Sequence, residues 1–103
     1  MKKKYSPLVT ICIPSFNHAR YVKKTILSVI DQNYKNIELI VIDDGSKDNS
    51  VNIIKSIEKK CIKRFRRFKL IQQKNIGVNK TLNVAIKWAA GKYFAYVGSD
   101  DVF

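Results

Sequence analysis

The sequence is short of acid. Eight Asp and Glu stand against twenty Lys and Arg, a net charge of +12 over 103 residues. A positive field of that kind favours anionic ligands or surfaces. Cysteine is scarce as well. Cys12 and Cys61 lie far apart, which makes neither a metal-binding spacing nor a disulfide framework. Cys12 sits in an apolar run and Cys61 near a helix end, and both read as small buried hydrophobes. No apolar run approaches the roughly 18 residues of a membrane span. The basic start, Met1 to Tyr5, precedes an apolar stretch (Leu8 to Ile13) too short for a signal-peptide core and lacking a small-residue cleavage site. These absences predict a cytoplasmic protein. No repeat, linker or low-complexity segment appears, and the length allows one small domain with a modest core and a thin stability margin.

What is present alternates. Leu8 to Ile13 is a near-continuous apolar run ended by Pro14, which predicts a strand buried on both faces. Residues 19–33 carry Val22, Ile26, Val29 and Ile30 at helical spacing, with Asn17 available as the cap. Ile37 to Ile42 is a second buried strand, running into Asp43-Asp44-Gly45-Ser46. A helix over about 48–61 follows, with Ile54, Ile57 and Cys61 on one face and Ser46 or Asp48 as its cap. Residues 68–73 predict a third strand. Val78, Leu82, Ala85, Ile86 and Ala89 trace another helix, ended by Gly91 as a left-handed cap residue. Residues 93–97 predict a fourth strand. Strands that read as buried runs, separated by helices, imply an α/β fold. The expected form is a Rossmann-like open parallel sheet in three α/β/α layers, order 3-2-1-4.

Five of the eight acids, Asp43, Asp44, Asp48, Asp100 and Asp101, fall in two short clusters. Three polar segments, 14–17, 43–46 and 99–101, each follow an apolar strand. In an open parallel sheet all carboxyl ends share one edge, where ligands bind, so the three should meet in space. Adjacent carboxylates on tight loops suit a hard cation such as Mg²⁺ or Mn²⁺ bridging to phosphates. Taken singly, each acidic cluster also reads as a solvated turn or a helix cap.

The combination is more specific. Val9 to Asn17 resembles the opening strand and loop of family 2 glycosyltransferases. Ser28-Val29-Ile30-Asp31-Gln32-Asn33-Tyr34 resembles the end of that family's first helix. Ile37 to Ser50, with Asp43-Asp44-Gly45-Ser46-Lys47-Asp48-Asn49-Ser50, resembles its aspartate-rich segment. Asn75-Ile76-Gly77, Asn83 and Ala90-Gly91-Lys92-Tyr93 resemble its next stretch, and Ser99-Asp100-Asp101 falls at its metal-binding loop. The resemblance spans essentially the whole chain. It implies a GT-A-type fold, with residues 1–103 as a single partial domain, the N-terminal nucleotide-sugar-binding half of a glycosyltransferase domain. The chain ends two residues after Asp101, which also reads as a fragment.

The same resemblance implies an inverting enzyme that moves a sugar from a nucleotide-diphospho-sugar, a UDP-sugar, to an acceptor hydroxyl. Pro14, Phe16 and Asn17 are then implied to line the nucleotide site. Asp43 is implied to hydrogen-bond the base, with Asp44 beside it. Asp100 and Asp101 would meet ribose, diphosphate and a Mn²⁺ or Mg²⁺ ion, either one being the direct ligand, since the family's first loop aspartate is Gly98 here. Lys80 would reach the diphosphate, or is simply a solvated helix lysine. The basic residue that usually precedes the family's second Asn is Leu82. No residue matches the family's general base, so these residues alone are expected to be inactive.

The run Lys59 to Lys69 interleaves basic and aromatic residues. It reads as a solvated helix end, as a peripheral contact with the inner face of the cell membrane that suits a lipid-linked or saccharide acceptor, or as a nucleic-acid patch. A nucleic-acid partner is not expected, because the two carboxylate clusters would repel a phosphate backbone. A sugar nucleotidyltransferase would need a Gly-rich loop after the first strand, and Pro14-Ser15-Phe16-Asn17 has none.

Overall fold

A computed structural model describes residues 6–75 and 77–98. The chain runs β1 (Val9–Ser15), α1 (Val22–Ile30), β2 (Ile37–Asp44), α2 (Ser50–Ser56), α3 (Glu58–Arg64), β3 (Arg67–Gln73), α4 (Val78–Trp88) and β4 (Tyr93–Tyr96). The four strands form one sheet in the order β3-β2-β1-β4, and every pairing is parallel. This is the expected order.

The alternation of side chains along β1 and β2 builds the two helix layers. Ile11, Ile13, Leu39 and Val41 face one side, where they pack with Val22, Ile26 and Val29 of α1, Ile54 of α2 and Cys61 of α3. Cys12, Ile40 and Ile42 face the other side and meet Ala85 of α4. Every residue of β2 is buried, as a strand covered on both faces requires. Burial pushes the Cys12 thiol up to about 12 and the Cys61 thiol up to about 11, which suits the inert apolar role expected of them.

Several local expectations are corrected. β1 does not stop before Pro14 but continues to Ser15, with Pro14 opposite Ile42. The β1–β4 pairing ends at Cys12, whose carbonyl accepts from Val97 N at 2.9 Å. Pro14 shares the Cys12 side of the backbone, so its missing N–H falls where no strand pairs with it. Asn17 does not cap α1. That helix starts later, with Tyr21 at the N-cap and no side-chain cap bond.

The expected helix 48–61 is two helices, broken at Ile57 (φ −112°, ψ 12°). Asp48 rather than Ser46 tends the start of α2, accepting from Ser50 N at 3.0 Å. Gly91 does not take the left-handed conformation, which belongs to Gly45 and Gly77. Glycine is required at 91 for space. A Cβ there would lie 2.3 Å from Thr10 Oγ1 and 2.6 Å from Thr10 N. α4 instead ends at Ala89 in an extended conformation.

Candidate functional site

β1, β2 and β4 deliver their carboxyl ends to one edge, and a cleft of about 430 Å³ opens there. Its walls include Pro14, Ser15, Phe16 and His18 from the first strand and loop. Asp44 comes from the end of β2, Asn75, Gly77 and Thr81 from the β3–α4 turn, and Tyr96 and Gly98 from the end of β4. The volume lies in the range of small-molecule sites, and its position is the one that open parallel sheets use for ligands.

Asp44 supplies the carboxylate of this wall. Even-numbered β2 residues face α4, which turns Asp44 into the cleft, where it is 7% exposed. Oδ1 accepts from Gln73 Nε2 and Oδ2 from Gly77 N, both at 3.1 Å. Gln73 Nε2 also donates to Thr81 Oγ1 at 2.8 Å, and Thr81 Oγ1 donates to Gly77 O at 2.8 Å. A closed ring of hydrogen bonds thus fixes the carboxylate against the first turn of α4. Ser15 Oγ is buried in the same wall without a hydrogen-bond partner, an unspent polar group that suits a polar ligand.

Asp43 faces the opposite way. It is buried (2% exposed) and does not line the cleft. Oδ2 accepts from Ser46 N at 2.8 Å, and Oδ1 accepts from the Ser46 hydroxyl. Of the two adjacent aspartates, the structure places Asp44, not Asp43, in the wall of the cleft. Alternation decides this, since neighbouring strand residues point to opposite faces.

Asn17 is also outside the cleft wall. Its backbone is left-handed (φ 53°), and its side chain accepts from Lys47 N at 2.8 Å. Nearby, the Ser50 hydroxyl, with backbone N–H groups of Ser50 and Ala19, holds Asp48 below the usual carboxylate range. Lys80 is exposed on the first turn of α4 and does not line the cleft. Pro14 and Phe16 line it. Asp100 and Asp101 lie outside the described residues, but Gly98, two and three positions before them, is a wall residue. Among the described residues no group of three or more His, Cys, Asp or Glu could hold a metal ion. Two adjacent carboxylates offer only oxygen donors, the chemistry of a hard divalent cation.

Sequence reasoning missed His18, Thr81, Tyr96 and the Gln73 support. Thr81 stands one helical turn after Gly77 and Tyr96 two residues before Gly98, spacings that place both at the same edge once the loops are recognised.

The segment 59–69 is largely engaged with the protein itself. Arg64 donates to the carbonyls of Ile30 (2.8 Å), Gln32 (3.0 Å) and Tyr34 (2.7 Å), Phe65 is buried, Arg67 pairs with Glu38 at 2.8 Å and Lys69 lies 4.5 Å over the Trp88 ring. Lys59, Lys60, Ile62, Lys63 and Arg66 remain exposed. Among the described residues no helix is long and apolar enough to cross a membrane.

The cleft thus lies at the carboxyl edge of a parallel sheet, walled by the proline–phenylalanine loop and by Asp44 of β2. Residues 10–103 match the model of Glycosyl transferase family 2, and the chain belongs to that family. It is 43% identical over 100 residues to an uncharacterized glycosyltransferase of Rickettsia prowazekii, an alignment covering 96% of this chain and 29% of that protein. Among solved structures, the fold superposes with a TM-score of 0.88 on the mannosyltransferase of Pyrobaculum calidifontis in complex with GDP-Man and Mn²⁺, at 22% identity, covering 96% of this chain and 29% of that one. It also superposes on S. aureus TarS 1–349 in complex with UDP-GlcNAc, with a TM-score of 0.79 at 28% identity, covering 91% and 27% respectively. The chain therefore spans under a third of the length of each of these three proteins.

Proposed function

We propose that the chain is the donor-binding half of a glycosyltransferase domain, taking up a nucleotide-diphospho-sugar whose sugar passes, with inversion, to an acceptor hydroxyl. The observation that carries this reading is the Asp44 carboxylate, fixed by Gln73 and Gly77 in a cleft otherwise walled mainly by uncharged groups. A carboxylate held there accepts from a base that presents an N–H edge, as uracil does, and rejects one that presents only an acceptor. Phe16 and Pro14 supply apolar faces for the base. TarS, 28% identical, is seen with UDP-GlcNAc, which favours a UDP-sugar over other donors.

Asp100 and Asp101 hold Mn²⁺ or Mg²⁺ in this reading, and the mannosyltransferase with Mn²⁺ shares the fold. The bound ion would stabilise charge on the departing diphosphate. Lys80 does not line the cleft, and in this reading it meets the outer end of the diphosphate or is a solvated helix lysine. The general base and the acceptor site come from residues beyond these 103, because transfer needs an activated, positioned acceptor. A saccharide or lipid-linked acceptor at the inner face of the membrane fits the exposed lysines of α3, and the protein is then cytoplasmic and peripheral. Nucleic acid remains disfavoured, because the two carboxylate clusters of the sequence would repel a phosphate backbone.

Calorimetric titration with UDP, with and without Mn²⁺, tests the reading. Binding should tighten with the ion, by the coupling between two ligands that share a site. Asp100→Ala and Asp101→Ala should abolish that enhancement. Asp44→Ala should weaken UDP about 30-fold with or without the ion, the effect of a hydrogen bond to a charged group. Equal UDP affinity in the presence and absence of Mn²⁺, or oligonucleotide binding tighter than UDP at physiological salt, would sink it.

A further inference from the structure

Asn17 sits between two residues that line the cleft, Phe16 and His18, yet it does not line the cleft itself. Its hydrogen bonds to Ser46 and Lys47 run the other way, to the loop after β2. Asn17 N donates to Ser46 Oγ at 2.9 Å. Asn17 Oδ1 accepts from Lys47 N at 2.8 Å. Ala19 N donates to Asp48 Oδ2 at 3.1 Å. Three hydrogen bonds therefore join the β1–α1 loop to the β2–α2 loop across 29 or 30 residues of sequence.

The Ser46 hydroxyl is the hinge of this arrangement. It receives the Asn17 N–H and gives its own proton to Asp43 Oδ1, while Ser46 N donates to Asp43 Oδ2. Asp43 is itself buried at the end of a fully buried strand, so it is the fixed point to which both loops are tied. Asn17 accepts the left-handed backbone (φ 53°) that the connection demands, a conformation Asn tolerates better than most residues.

We propose that Asp43, Ser46 and Asn17 form a buckle that sets the position of Phe16 and His18 against the donor, acting on the nucleotide through the loop and not by touching it. The proposal rests on the donor-site reading above for the identity of the ligand. It gives the adjacent aspartates separate tasks. Asp44 faces the ligand, and Asp43, on the opposite face of the strand, anchors the loop that covers it.

The test uses Ser46, which bridges the anchor and the loop. Ser46→Ala removes the hydroxyl, and Ser46→Thr keeps it. Two quantities are read in the full chain: hydrogen exchange of the Asn17 amide without ligand, and UDP affinity in the presence of Mn²⁺. Ser46→Ala removes two hydrogen bonds, the one from Asn17 N and the one to the Asp43 carboxylate, and should speed Asn17 exchange and weaken UDP about tenfold, while strand amides keep their protection. Ser46→Thr should restore both. Should Ser46→Ala fail to fold, Asn17→Gly keeps the backbone conformation, removes the bond to Lys47, and should likewise weaken UDP. Weaker UDP binding with unchanged Asn17 exchange would mean that the serine or aspartate meets the nucleotide, which overturns the proposal. Faster exchange with unchanged UDP affinity overturns it too. If the unsubstituted chain binds no UDP, the donor reading fails, and the exchange measurement alone decides whether the buckle exists.

Discussion

Glu38 is 2% exposed, and such a charge costs free energy unless its oxygens are used. They are. Oε1 accepts from Thr10 Oγ1 at 2.7 Å and from Ala90 N at 2.8 Å, and Oε2 meets Arg67 Nη1 at 2.8 Å. Thr10 Oγ1 accepts in turn from Gly91 N at 2.9 Å. One carboxylate thereby links β1, β2, β3 and the turn into β4, at the end of the sheet opposite the cleft. Removing it strands buried donors, whereas removing Arg67, half exposed at 48%, leaves the network mostly intact. Glu38→Ala should cost about 3 kcal/mol, and Arg67→Ala about 1 kcal/mol. Urea denaturation of the two variants checks the order; comparable losses would show that the ion pair, and not the buried hydrogen bonds, carries the stability.

At the scale of elements, the junction between α1 and α3 depends on one side chain. The last carbonyls of a helix have no partner within it, and Arg64 supplies three donors to the carbonyls of Ile30, Gln32 and Tyr34. Lysine offers donors from a single point and cannot span them as a planar guanidinium does. Arg64→Lys should therefore destabilise by about 1–2 kcal/mol, read as a lowered thermal midpoint, and a midpoint unchanged by the swap would refute the clamp. Nothing in the local pattern marks Arg64 among its basic neighbours, because its partners lie some 30 residues away. The strands, by contrast, were legible, since apolar runs such as Ile37 to Ile42 carry their own signal. So were the loops of the cleft, because strand direction alone gathers Pro14, Phe16 and Asp44 at one edge. Which of Asp43 and Asp44 enters the cleft wall was not, since a repeated residue type hides which face each side chain takes. The break at Ile57 was not legible either, because Ile54, Ile57 and Cys61 keep helical spacing through it and all three are buried.

For the molecule as a whole, the two edges of the sheet differ. β3 presents exposed Arg67 and Lys69, charges that discourage a further strand from adding. β4 carries Tyr93 (56% exposed), Phe94 (37%) and Tyr96 (46%), with no charge within the strand. Ile86, on α4, is 53% exposed as well. Large exposed apolar side chains favour association. The net charge of +12 opposes it, since like charges repel until salt screens them, with a Debye length of about 10 Å at 0.1 M. The two effects separate by ionic strength. Association of the 103-residue chain should rise with added salt, because salt removes the repulsion and leaves the apolar contact. Tyr93→Lys together with Ile86→Lys should suppress it with little loss of stability, both side chains being more than half exposed. Sedimentation velocity across a concentration series at low and high salt makes the measurement. A monomer at every salt concentration would show that the aromatic edge is not adhesive, and association that falls with salt would show that charge pairing, not the β4 edge, holds the copies together.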